Sequence, residues 1–86
     1  MREIKHTIKD AFGMHARPAG QFVKTVSAFK SDVKLRTAAG KEVDAKRIMG
    51  VMSLGLKQND VMTITFTGAD EANAATATAA FLTENI

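Results

Sequence analysis

The chain predicts an α+β fold: an open-faced β-sandwich with a four-stranded antiparallel sheet and three helices on one face, ordered βαββαβα. Three observations carry this. Short stretches alternate apolar and polar residues with the period of a half-buried strand. Between them lie segments whose apolar residues recur at helical spacing. Four short strands cannot bury both faces of a sheet, so helices most simply cover one face and leave the other wet.

The elements follow in order. REIKHTI sets Ile4, His6 and Ile8 on one side against Glu3, Lys5 and Thr7 on the other, a strand. From Ala16 to Phe29 the apolar residues Ala19, Phe22, Val23, Val26 and Phe29 form one buried helical face. DVKLRT turns Val33 and Leu35 inward, and a turn around Ala39–Gly40 leads into KEVDA, making a hairpin. RIMGVMSLGL reads as a short helix on the rim of the sheet. VMTITFTG alternates again, with Met62, Ile64 and Phe66 on one face and Gly68 as its stop. DEANAATATAAFLTEN opens with acids, as a helix N-terminus favours. Ala74, Ala75 and Thr78 give that helix little volume, so it is expected to be the weakest-packed element.

Composition narrows the function. Residues 1–86 suit a single domain near the lower size limit for folding without staples. With no cysteine, disulfides and thiolate metal sites are excluded and a cytoplasmic setting is expected; no apolar run is long enough to insert in a membrane. A net charge of +3 is scattered rather than clustered, and there is no Trp or Tyr to stack on bases, which argues against a nucleic-acid binder. The two histidines are too far apart in the chain's logic to pair on a metal, and no metal or cofactor is expected. His6, on an apolar strand face, reads as a rim or core residue.

The other histidine stands in GMHARPAGQFVKTV, just before the first helix. Gly13 permits a sharp turn ahead of it, and Pro18 falls in the first helical turn, where a missing N–H costs no bond. The free N–H groups of that turn and the positive end of the helix dipole make an anion site. They also favour a neutral imidazole, the nucleophilic form. Arg17 adds a planar fork of donors suited to phosphate oxygens. The residues therefore suit the acceptance and return of a phosphoryl group. A histidine here is also a common kind of surface cap, and taken alone these residues leave both readings open.

GMHARPAGQFVKTVSAF followed by DAKRIMGVMSLGL resembles the HPr family, the histidine-containing phosphocarriers of the bacterial phosphoenolpyruvate:sugar phosphotransferase system, over essentially the whole chain. The resemblance implies that Enzyme I phosphorylates His15 on Nδ1 and that sugar-specific EIIA domains remove the group with help from Arg17. Ala16 and Arg17 would bind the phosphate. The protein would be a carrier passing through a phosphohistidine rather than an enzyme, and a monomer. A carrier in a regulatory, nitrogen-related branch has the same chemistry and remains an alternative. A binding module that no longer carries phosphate is a third reading. His15 opposes it, since relatives reduced to regulation can lack the histidine.

In RIMGVMSLGL, Ile48, Met49 and Met52 share one side of a helix while Val51 and Leu54 point the other way. A rim helix cannot bury both, so one apolar side is left over, and adaptable Met suits varied partners. The family implies that Ile48, Met49 and Met52 dock the partners. Gln21 and Lys24 would form a polar rim, Gly20 would leave the backbone open to close approach, and Arg47 would add a steering charge. Two positions depart from the family pattern. Arg47 occupies the place where many relatives carry a kinase-regulated serine, and arginine cannot accept phosphate. Phe12 stands where a small or polar residue is common, beside the His15 loop.

Overall fold

In the computed structural model, which describes residues 1–86, the elements are β1 (Arg2–Thr7), α1 (Ala16–Ser27), β2 (Asp32–Thr37), β3 (Glu42–Asp44), α2 (Ile48–Ser53), β4 (Val61–Thr67) and α3 (Glu71–Asn85). The four strands form one antiparallel sheet in the order β1-β4-β2-β3. The expected sandwich and its βαββαβα order are thus present. Several boundaries are tighter than expected: α2 covers only Ile48–Ser53 of RIMGVMSLGL and β3 only Glu42–Asp44, and α1 stops at Ser27, where the amide of Phe29 turns back to the Val26 carbonyl instead of extending the helix.

Register follows from the alternation. Ile64 on the central strand β4 lies opposite both Ile4 and Leu35, and Phe66 opposite Val33, so one face of the sheet is continuously apolar. The other face carries rows of Glu3, Thr65, Lys34 and Asp44, and of Lys5, Thr63, Arg36 and Glu42. Thr65 lies between Glu3 and Lys34, Thr63 between Lys5 and Arg36, and on β3 Asp44 and Glu42 face Lys34 and Arg36, pairings that suit a polar face. Over the apolar face, Ala19, Phe22 and Val26 of α1, Val51 of α2, and Ala74 and Leu82 of α3 are buried against Met62, Ile64 and Phe66. Residues of the connections complete the core: Ile8, Met14, Ala45, Leu56 and Ile86.

The last helix does rest on small residues, burying Ala74, Ala75, Thr78 and Leu82, and the Thr78 hydroxyl is buried without a partner. Its start is tied down by polar contacts that composition did not suggest. The Asp70 carboxylate accepts the Lys30 amide at 2.8 Å, the Ser31 amide at 2.9 Å and the Ser31 hydroxyl. The hydroxyl first, and then the Lys30 amide, hold the Asp70 pKa below the ordinary aspartate value. Gly68 makes this possible, because a Cβ there would lie 2.7 Å from Ser31 Oγ.

His6 occupies the apolar rim as expected, with Nε2 buried and lacking a hydrogen-bond partner. Burial pushes its pKa below the ordinary histidine value, partly opposed by a backbone contact with Ile86 and reinforced by the charge of Lys9. The unfolded chain therefore takes up this proton first as the pH falls. Stability is full above the unfolded histidine pKa of about 6.5 and declines from there down to the depressed folded value. Urea midpoints measured between neutral pH and pH 5 should fall more steeply for the wild type than for His6→Phe. Equal slopes would show that His6 makes no such contribution.

Candidate functional site

His15 is the N-cap residue of α1, with extended backbone angles (φ −81°, ψ 178°). Its carbonyl accepts the first helical bond from the Ala19 amide at 3.0 Å, but its ring makes no capping hydrogen bond. The side chain stays half-exposed. Beneath it, the amides of Ala16 and Arg17 have no backbone acceptor, and Pro18 has no N–H to offer. Ala16 and Arg17 are exposed, and the Arg17 guanidinium takes part in none of the three ion pairs of the chain. An imidazole without a capping bond, two orphaned amide donors and an arginine outside the ion pairs thus belong to one helix start.

The loop ahead of the histidine is anchored to a distant part of the chain. Met14 is buried in the core, and its amide donates to the Leu56 carbonyl at 3.0 Å. Gly13 has φ +68°, and a Cβ there would lie 2.4 Å from the same carbonyl oxygen. No other residue type fits this position without moving the segment after α2.

That seam sets the position of α2. Within it, Val51 is fully buried while Met49 is 78% exposed, and Ile48 and Met52 are each just over one-third exposed. The short helix is thus two-sided, with an apolar side left in solvent. Gln21 and Lys24 are also exposed and lie on the Arg17 face of α1. Gly20 differs from expectation. The site of its missing Cβ lies 3.5 Å from Ile48 Cδ1, so the chain's own α2 occupies the space expected to be open for a partner.

Arg47 is the N-cap of α2 and provides no capping bond. Its Nε lies 3.7 Å from Asp44 Oδ2, an exposed contact that partly offsets the guanidinium charge. Phe12 is 82% exposed and meets His15 edge-to-face, with ring centroids 5.9 Å apart. Asp10 escaped the sequence reading: its Oδ2 lies 3.9 Å from His15 Nε2. The usable signal was Asp two residues before Phe12 and three before Gly13, the pattern of an Asx-turn.

A small antiparallel open-faced sandwich with a histidine at the start of its first helix is the architecture of the phosphocarrier class to which its relatives belong. A family model described as the PTS HPr component phosphorylation site matches residues 2–84. The phosphocarrier protein HPr of Mycoplasma genitalium is 44% identical over 85 residues, covering 99% of this chain and 97% of that protein. Among solved structures, HPr-C-His of Thermoanaerobacter tengcongensis superposes with a TM-score of 0.92 at 40% identity, covering 98% of this chain and 93% of that one. Crh, the Bacillus subtilis catabolite repression protein solved as a domain-swapped dimer, matches with a TM-score of 0.77 at 38% identity, covering 100% and 98%. The chain belongs to the HPr family of phosphocarriers of the phosphotransferase system. No helix is long and apolar enough to cross a membrane.

Two stability measurements test the packing around the site. Met49→Ala should cost well under the ~2–5 kcal/mol of a buried Met→Ala, whereas Val51→Ala should cost roughly 1.5–3 kcal/mol. Comparable losses at both positions would contradict a two-sided α2. Gly20 sits in the interior of α1 at ordinary contact distance from Ile48, so Gly20→Ala should stabilise the fold by about 0.5–1 kcal/mol. A lower melting temperature would show that the two helices cannot accommodate the methyl group.

Proposed function

We propose that His15 accepts a phosphoryl group from phospho-Enzyme I and passes it to sugar-specific EIIA domains. The observation that carries this is the His15 ring, which makes no capping bond, beside the unpaired amides of Ala16 and Arg17. In the forward step the Nδ1 lone pair attacks phosphorus while the donor's bond to phosphorus breaks, and its electron pair returns to the donor. The phosphoryl oxygens then meet the two amides and the Arg17 fork, which neutralise charge without further rearrangement. The return step reverses these events on an EIIA acceptor. Donor and acceptor are both other proteins, which makes it a carrier rather than an enzyme with a free substrate.

The exposed side of α2 supports the docking part of this reading. Ile48, Met49 and Met52 supply an adaptable apolar patch, and Gln21 and Lys24 border it. Gly20 belongs to the same surface through Ile48, which packs 3.5 Å from its Cβ site and joins the patch to α1. Arg47 adds a cation at the edge that favours acidic partners, less its contact with Asp44. The chain would act as a cytoplasmic monomer, meeting donor and acceptor in turn through the same surface. With arginine at position 47, no phosphate can be placed there by a serine kinase.

Incubation with Enzyme I and labelled phosphoenolpyruvate should give one label, acid-labile and base-stable, on His15. His15→Ala should carry none, and label persisting in that variant would overturn the assignment. Arg17→Ala should transfer more slowly with an unchanged melting temperature, because its guanidinium contributes nothing to the core.

A further inference from the structure

On the reading that His15 carries phosphate, we infer that Asp10 is its positioning residue: the carboxylate holds the imidazole proton on Nε2 and leaves the Nδ1 lone pair for phosphorus. The geometry begins with a backbone that fixes Asp10 from three directions. Its amide donates to the Ile86 carbonyl at 3.1 Å, its carbonyl accepts the Gly13 amide at 3.0 Å, and its Oδ1 accepts the Phe12 amide at 2.8 Å. With Oδ1 occupied by this local turn, Oδ2 is the oxygen directed at the histidine, 3.9 Å from Nε2. At that distance the contact is one of charge with the N–H dipole rather than a hydrogen bond. Phe12, edge-on to the imidazole at 5.9 Å between centroids, supports the ring from the side.

The chemistry gives this placement a consequence. A neutral imidazole has one N–H and one lone pair, and the tautomer is set by what the N–H faces. A carboxylate at Nε2 favours the proton there, so the lone pair sits on the other nitrogen, Nδ1. When Nδ1 bonds to phosphorus, the ring becomes a phosphoimidazolium, with its positive charge shared by the Nε2–H. Asp10 stabilises that charge, and the proton remains on Nε2 throughout transfer in both directions. The carboxylate itself does not take the proton, the same division of labour as in a nucleophile–histidine–aspartate triad. No other carboxylate in the chain pairs with His15.

Asp10→Asn separates charge from structure, because the amide oxygen can still accept the Phe12 N–H. Nitrogen-15 NMR of the His15 ring at a pH where it is neutral should show the Nδ1–H tautomer gaining population in this variant. Transfer from phospho-Enzyme I should slow about two- to five-fold, the range expected for a half-exposed charge contact, and Asp10→Glu should recover part of the loss. The Phe12 amide resonance and the melting temperature should stay close to wild type. An unchanged tautomer ratio overturns the proposal, whether or not the rate falls, since a rate loss alone would report only a loop effect. The tautomer measurement needs no phosphotransfer. A wild-type protein that Enzyme I cannot label would therefore refute the carrier reading without deciding the role of Asp10.

Discussion

The site depends on one carbonyl oxygen, that of Leu56. It accepts the Met14 amide and lies where a side chain on Gly13 would have to go. This contact ties the loop before α1 to the segment leaving α2, two parts of the chain separated by nearly half its length. The histidine and the exposed side of α2 are therefore held relative to each other by backbone, not by flexible side chains. Burial of Met14 and Leu56 protects the bond from water and gives the loop a core anchor. A carrier that must present one nitrogen to successive partners gains from such a rigid base, because orientation need not be recovered at each encounter.

The molecule separates its two tasks by face. One side of the sheet takes all the helices and almost all the apolar volume, while the other carries central threonines bordered by charged residues. Stability therefore resides in the sandwich, and the exposed ends of α1 and α2 are free to carry residues that contribute little to it. Met49, Arg17 and Phe12 are all exposed and lie outside the core. Gly20 belongs to both tasks. Ile48 packs beside it, 3.5 Å from where a Cβ would stand, so α2 meets α1 at this helix-weakening position.

Two charged residues shape the surroundings of the site. Arg47 stands as an N-cap that offers no acceptor, so α2 begins without the bond a serine would supply, and Asp44 compensates by organising the turn before it. Asp10 uses one oxygen to close its own loop and turns the other toward His15. Together they give the site a carboxylate behind the histidine and a guanidinium beside the docking patch.

The sequence by itself determined the sheet, the helices and their sidedness, because each rests on local periodicity: alternation in VMTITF, helical spacing from Ala19 to Val26, two-sidedness in IMGVM. It also marked His15, Ala16 and Arg17, since a helix start confines chemistry to neighbouring residues. Tertiary structure alone decided what those residues face. That Asp10 lies behind the imidazole, that Ile48 fills the space above Gly20, and that Asp70 ties α3 to Lys30 and Ser31 all depend on how separate segments dock. Such contacts leave no period in the sequence. They arise because packing the apolar face fixes the backbone first, and polar side chains then meet whatever that backbone brings near.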